Sequence, residues 1–190
     1  ENFLKRFYNK GLSKTDYIVA ISEYVGQEIS KQYDIDQNRI KIINRGIDTN
    51  FYNPSIKNDD SFIKFIGKYD IPSDKKIIIY PGRLTSWKGQ FEFLNIVKKL
   101  KDNNYFFYFV GDDKNSNYRN KLINKIKKNN LYNCKLLGHL DSEDLKNLYY
   151  CADLVISMPL KPEGFGRIIS ESLAMKKIIL AKNFGGAENQ

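Results

Sequence analysis

Apolar positions recur along this chain in two alternating rhythms. Short runs rich in β-branched and aromatic residues read as strands: Asp16–Ile21, Arg39–Ile43, Lys76–Tyr80, Tyr105–Val110, Cys134–Leu137, Asp153–Ser157 and Lys177–Ala181. Between them apolar residues return at helical spacing. Phe91, Leu94, Val97 and Leu100 predict a helix over Lys88–Lys101, and Leu122 with Ile126 marks the inner face of another over Asn117–Asn129. Ser22 is placed to cap a helix reaching about Tyr33, with Glu23 in its first turn. Ser142 is placed to cap one reaching about Tyr150, with Glu143 and Asp144 in its first turn. Phe62–Tyr69 reads as a short helix and Glu1–Lys10 as the end of an amphipathic one. Asn44–Asp48 reads as a turn, and Asn53-Pro54 closes that section. Strands that alternate with helices in this way predict an α/β fold with a doubly wound parallel sheet.

The polar, irregular stretch Ser55–Ser61 reads as a linker. It divides the tail of one α/β domain (1–54) from a second, Rossmann-like domain (55–190) whose sheet is incomplete. The chain starts Glu-Asn-Phe-Leu and ends Gly-Gly-Ala-Glu-Asn-Gln straight after a strand, so it is expected to be a piece of a longer protein. At 42% hydrophobic residues, with 13 Tyr and 12 Phe, it can fill a core. No run of about 18 apolar residues exists, so no spanning segment is expected. The net charge of +9 admits nucleic acid, an anionic membrane surface or phosphorylated ligands as partners. The lysines, among them Lys98, Lys99, Lys121, Lys125, Lys127 and Lys128, are scattered over polar helix faces, and no nucleic-acid module is present. Cys134 and Cys151 fit apolar core positions in a reducing compartment, and with one histidine a zinc site is not expected.

The chemistry gathers in Lys161–Met175, which falls in a strand-to-helix crossover, where open α/β sheets place ligands. Pro162 stops the strand, Gly164 and Gly166 let a ligand approach the backbone, and a helix starting near Gly166 points unpaired N–H groups at that spot. Helical spacing puts Arg167, Ser170, Glu171 and Ala174 on one face, with Glu171 looking along the open side. Ile168, Ile169, Ser172 and Leu173 share the face expected to pack on the sheet. Glu163 and Glu171 then stand at unequal heights, able to grip hydroxyls on different parts of one ligand. The competing reading is an exposed Arg167–Glu171 pair worth about 0.3–0.5 kcal/mol, with Glu163 an ordinary loop acid.

A second constellation, Gly82-Arg83-Leu-Thr-Ser-Trp-Lys88-Gly89, lies between a strand and the following helix. It is not a Gly-x-Gly-x-x-Gly loop, so no dinucleotide is implied. It offers a guanidinium and an ammonium, enough to neutralise a diphosphate without a metal ion. The competing reading takes Arg83 and Lys88 as surface cations of a basic protein.

Gly82-Arg83-Leu84 with Lys88-Gly89, Pro162-Glu163-Gly164-Phe165-Gly166 with Glu171, and Gly185-Gly186 together resemble the group-1 retaining glycosyltransferases of the GT-B fold. The Glu-x7-Glu spacing is that family's signature. Asn44–Asp48 looks like its interdomain segment, and Ala152-Asp153 before a strand is typical of it. The wording Gly-Arg-Leu-Thr-x-Trp-Lys-Gly-Gln is similar to a bacterial subgroup linked to lipopolysaccharide and other surface polysaccharides. The resemblance covers nearly the whole chain. It implies transfer of a sugar from a nucleotide diphosphate sugar with retention, with a glycan or lipid-linked acceptor. It implies a cytoplasmic protein, in peripheral contact with an anionic membrane or free of it, that uses no cofactor or metal. Arg83 and Lys88 would hold the diphosphate, and Glu163 the donor sugar. The N–H groups of Gly164, Phe165 and Gly166 would touch sugar or phosphate. Glu171 would bind the ribose, and Gly138 and His139 would border the base, His139 also being readable as a plain loop residue.

Some positions depart from the family pattern. Lys176-Lys177 stands where glycine is usual after the helix. Gly-Gly-x-x-Glu would place Glu at position 189, which is Asn189, with Glu188 one position early. The alternative is an inactive nucleotide-binding or scaffold domain of the same fold. A nicotinamide-dependent oxidoreductase lacks its glycine fingerprint here. The sugar-transfer reading requires the two cations and the two acids to converge on one rim of the sheet.

Overall fold

The computed structural model describes residues 7, 9, 11, 14–55, 59–100, 104–112, 116–188 and 190. The amphipathic helix expected over Glu1–Lys10 lies for the most part outside the described residues. The chain forms two compact units. One comprises Glu1–Gly46, Pro162–Arg167 and Asn183–Gln190, the other Ile47–Lys161 and Ile168–Lys182.

In the first unit, β1 (Ile18–Ala20) and β2 (Ile40–Ile42) pair in parallel across α1 (Glu23–Tyr33). Ser22 caps α1, its hydroxyl accepting from the Val25 N–H at 3.2 Å. Gly26 brings the helix down onto β2, since a Cβ there would stand 2.7 Å from Ile42 Cδ1. Ala20, Ile35 and Ile40 form the buried centre. The strand expected from Arg39 is shorter than its apolar run. Asp36 caps a 3-10 turn over Gln37–Arg39, so the extended chain starts at Ile40.

The second unit holds α2 (Asp59–Tyr69), β3 (Lys76–Pro81), α3 (Gln90–Lys99), β4 (Tyr105–Val110), α4 (Ser116–Lys128), β5 (Cys134–Gly138), α5 (Ser142–Cys151), β6 (Leu154–Ser157), α6 (Arg167–Ala174) and β7 (Ile178–Ala181). The five strands lie all parallel in the order β5-β4-β3-β6-β7. The chain therefore winds outward from β3 in one direction and then in the other, and the reversal falls between β3 and β6.

β3 is buried from Ile77 to Pro81 because helices cover both faces of the sheet. Side chains alternate across a strand. Ile77 and Ile79 pack with Phe65, Tyr108, Leu148, Tyr149, Val155 and Met175. Ile78 and Tyr80 pack with Leu84, Phe93, Leu94, Phe107, Phe109 and Ile156. Each such side chain contributes about 1.5–3 kcal/mol by leaving water, which is why the run Ile-Ile-Ile-Tyr has no polar gap. At the amino edge, the Asp153 carboxylate accepts from the Ile77 N–H at 2.8 Å and from Lys76 Nζ at 3.0 Å. Burial works against its charge, yet these donors hold its pKa below the ordinary value.

Several boundaries differ from those read in the sequence. α2 begins at Asp59, inside the expected linker, because Asp59 and Asp60 place negative charge on its first turn. Asp141, not Ser142, caps α5, its carboxylate accepting from the Asp144 N–H at 2.8 Å. Asn44–Asp48 forms no turn and has no regular secondary structure. The turn follows at residues 49–51, where the Asp48 carboxylate accepts from the N–H groups of Asn50 and Phe51 at 2.9 and 3.0 Å. α3 starts at Gln90 rather than Lys88, because Gly89 takes a left-handed φ of 82°. Leu100 lies beyond its end and is exposed, and Phe93 takes the inward position instead.

A Cβ on Gly111 would stand 2.0 Å from the Gly82 carbonyl oxygen, whereas Gly67, on α2, has nothing within 4 Å. Gly111→Ala should therefore lower stability by about 1–3 kcal/mol, and Gly67→Ala should raise it by up to about 1 kcal/mol. Thermal melts of the two variants check this, and shifts of the same sign would contradict the packing described.

Candidate functional site

β3 leaves the sheet through Gly82. The Gly82 N–H donates to the Val110 carbonyl and the Gly111 N–H to the Gly138 carbonyl, each at 2.8 Å. The ends of β3, β4 and β5 thus form one row at the carboxyl edge. Gly82 and Gly138 both lie in it, and exposed His139 follows Gly138.

The loop from Gly82 to Gly89 is held on several sides. Leu84 is fully buried, and its N–H donates to the Asp112 carbonyl at 3.0 Å. The Tyr80 hydroxyl donates to the Lys88 carbonyl at 2.6 Å and accepts from the Met158 N–H at 3.2 Å. The Leu160 N–H donates to the Trp87 carbonyl at 2.7 Å. Gly89 fits beneath the Met158 carbonyl, where a Cβ would stand 2.3 Å from the oxygen. Lys88 folds back over Gly82, its Cδ and Cε 3.7 and 3.8 Å from where a Cβ on Gly82 would be. Its Nζ stands 4.7 Å from the Trp87 ring centroid, a cation–π distance. Arg83 is exposed. The structure thus brings Gly82, Arg83 and Lys88 together on a backbone that cannot easily shift. Ile168 Cδ1, in the first turn of α6, lies 3.6 Å from the same Gly82 position.

Glu171, on α6, is placed differently from the sequence expectation. It does not look along an open side. It is buried at 5% exposure, and the fully buried Tyr149 hydroxyl donates to its Oε2 at 3.0 Å. The buried stripe of α6 includes Ile169, Glu171 and Ser172 and continues to Met175, while Leu173, expected against the sheet, is 53% exposed. Helix rotation explains the difference. Ile168, Glu171, Ser172 and Met175 follow the i, i+3, i+4, i+7 rule, and Glu171 occupies a core position because Tyr149 meets its charge there. Burial, and then the Glu171 charge, push the Tyr149 hydroxyl well above its ordinary pKa, so it remains a donor.

Glu163, Gly164, Phe165 and Gly166 belong to the first unit. Glu163 bridges in parallel to Gly185, and its carbonyl accepts from the Gly186 N–H at 2.8 Å. The Gly164 carbonyl accepts from the Ser22 hydroxyl at 2.5 Å. A Cβ on Gly186 would stand 2.3 Å from the Gly164 carbonyl oxygen, so this second glycine pair closes tightly on the Glu163 segment. Gly166 has a φ of 88°. The side chain of Gln190 donates to the Phe165 and Gly186 carbonyls. Asn189 lies outside the described residues.

Elsewhere the chemistry is sparse. Burial pushes the Cys134 thiol up to about 12, which leaves it a poor nucleophile. Among the described residues, no group of three or more His, Cys, Asp or Glu is placed to hold a metal ion. No helix among them is long and apolar enough to cross a membrane. A groove of about 820 Å³ between α3 and α4, lined by Phe91, Tyr118, Lys121 and Lys125 among others, reaches Ser86 of the loop. Tyr149 and Gln90 are site-supporting residues to which the sequence reading gives no role, although Gln90 closes the Gly-Arg-Leu-Thr-x-Trp-Lys-Gly-Gln wording. Their signal is a polar group at apolar helical spacing, as in Gln90, Leu94 and Val97.

A parallel sheet whose winding reverses at β3, with a cation-bearing loop at that strand's carboxyl end, defines a Rossmann-like domain of the GT-B type. Family comparison agrees. The model of the glycosyl transferases group 1 matches residues 61–190, and that of glycosyltransferase family 4 matches residues 1–51. The chain belongs to the group 1 glycosyltransferases. A glycosyltransferase from Rickettsia africae ESF-5 is 35% identical with a TM-score of 0.88, over 100% of this chain and 50% of that one. Anabaena Alr3699/HepE, solved in complex with UDP and glucose, is 22% identical with a TM-score of 0.85, over 98% and 50%, and shows the shared fold. Among curated proteins, the trehalose synthase of Pyrococcus horikoshii is 26% identical over 199 residues, 99% of this chain and 45% of that one. The chain thus spans about half the length of the proteins it matches.

Tyr149→Phe should cost about 1.5–3 kcal/mol, the value of a buried hydrogen bond to a charged group. Because the folded-state pKa of Tyr149 is raised, its contribution is complete below the ordinary value of 10.0 and is lost as pH rises above it. Denaturant unfolding from pH 7 to 11 should show a stability gap between wild type and Tyr149→Phe that narrows above pH 10. A gap that stays constant or widens would contradict the assignment.

Proposed function

We propose that the protein transfers a sugar from a nucleotide diphosphate sugar to an acceptor hydroxyl with retention of configuration. The observation that carries this reading is the rigid loop at the end of β3, which presents Arg83 and Lys88 beside Gly82. When the donor reacts, the bond between the anomeric carbon and the phosphate oxygen breaks, and its electron pair stays on the diphosphate. The acceptor oxygen bonds to that carbon, and its proton leaves with the diphosphate. Two cations stabilise the charge as it develops, and the backbone that bears them need not reorganise because the loop is already held.

In this reading Arg83 and Lys88 are the catalytic cations, and Glu163 is the acid that holds the donor-sugar hydroxyls. The N–H groups of Gly164, Phe165 and Gly166 meet sugar or phosphate. Glu171, oriented by Tyr149, accepts from the ribose. Gly138 and His139 border the base. No metal is required, because the two side chains supply the positive charge. We take the acceptor to be a surface glycan or lipid-linked sugar, following the wording of the Arg83 loop, and the protein to work in the cytoplasm or at the inner membrane face. The alternative, an inactive nucleotide-binding domain, draws on Asn189 standing where the family pattern has Glu.

In the protein produced from its complete gene, Arg83→Ala, Lys88→Ala and Glu171→Ala should each lower kcat/KM for the donor by at least about tenfold, or about 1.4 kcal/mol. EDTA should leave the rate unchanged, and NMR of the first product should show the donor's anomeric configuration. Unchanged turnover in all three variants would overturn the assignment. Nucleotide binding without transfer, across a panel of donors with glycan and free-sugar acceptors, would establish the inactive alternative.

A further inference from the structure

We infer that Gln90 is a positioning residue for the Arg83 loop, acting through the loop backbone and itself aligned by Tyr118. The inference rests on the proposed diphosphate role of that loop. Gln90 is the first residue of α3 and is fully buried, an unusual place for a primary amide. Both ends of the amide are engaged. Its Nε2 donates to the Arg83 carbonyl at 3.0 Å and to the Gly82 carbonyl at 3.3 Å. Its Oε1 accepts from the Tyr118 hydroxyl at 3.3 Å, and that hydroxyl accepts from the Phe91 N–H at 3.2 Å.

The direction of each bond matters. An amide can donate from one end and accept at the other, so the Tyr118 hydroxyl fixes which way Gln90 points. With Oε1 turned to Tyr118, Nε2 faces the two carbonyls that flank Arg83. The loop is fixed from outside by the Trp87 and Lys88 carbonyl bonds, and Gln90 fixes it from beneath. Tyr118 is held in turn on α4, where Lys125 Nζ donates to the Phe91 carbonyl at 2.7 Å and stands 3.6 Å from the Phe91 ring centroid. The side chain that bears the guanidinium thus starts from a peptide unit whose carbonyl is clamped by a buried donor. Gln90 touches no substrate, so its effect should fall on phosphate binding and on the charged transition state rather than on the base.

The test uses the complete protein and two measurements. The first is calorimetric binding of whichever of UDP, ADP, GDP and TDP binds best, compared with its own monophosphate. The second is donor KM and kcat. Gln90→Met keeps the length of the side chain, adds no charge and leaves the two carbonyls without their donor. It should weaken diphosphate binding about three- to tenfold, the value of one hydrogen bond, leave monophosphate binding within twofold, and lower kcat. Tyr118→Phe, which keeps the core filled, should shift both in the same direction by a smaller factor, and it carries the test if Gln90→Met does not fold. A role in packing alone predicts equal loss for diphosphate and monophosphate, and that result, or wild-type affinity in both variants, would overturn the inference. If Arg83→Ala also leaves the diphosphate preference intact, the loop itself is not the phosphate site and the proposed function fails with it. If Arg83→Ala abolishes the preference and Gln90→Met does not, only the positioning role fails.

Discussion

The structure depends on one constraint. A parallel strand buried on both faces can deliver its chain to solvent only at its ends, and every backbone group there must find a partner. β3 meets this condition with Ile77 to Pro81 inside and Gly82 at the edge. The loop beyond then has to satisfy its carbonyls, and it does so with Tyr80, Gln90 and the Leu160 N–H. What solves a folding problem also fixes the backbone beneath Arg83 and Lys88. Cations on a fixed backbone lose less entropy when they take an anion than cations on a mobile one.

Most of the architecture was legible in the chain because burial on two faces leaves a strong trace. Ile-Ile-Ile-Tyr and Phe-Phe-Tyr-Phe-Val have no polar gap, and the helices between them carry regular apolar spacing. The edges of elements were less legible, because single side chains set them. Asp141 outcompetes Ser142 as a cap, and Gly89 delays α3 by its left-handed backbone. Leu100 shows that an apolar residue in register can still fall beyond the helix end.

The candidate site was legible as motifs but not as environments. The sequence marks Arg83, Lys88 and Glu171 as chemistry-bearing residues. It does not show that Glu171 is buried under a tyrosine hydroxyl, because Tyr149 comes from another helix and its partner is chosen by tertiary packing. The role of Gln90, though the residue closes a quoted motif, was hidden for the same reason, since its partners come from the Gly82 loop and from α4. Lys98, Lys99, Lys121, Lys127 and Lys128 are exposed, as their helical positions suggest. Other lysines take local roles, such as Lys125 on Phe91 and Lys177 donating to the Tyr150 carbonyl at 2.9 Å.

The central claim is that the loop after β3 is where a diphosphate is held. A crystal structure of the complete protein with a nucleoside diphosphate bound tests it most directly. The account predicts phosphate oxygens within about 3 Å of the Arg83 guanidinium and Lys88 Nζ, over the row formed by Gly82, Gly111 and Gly138. Phosphates bound away from both cations, with the loop side chains turned to solvent, would contradict it.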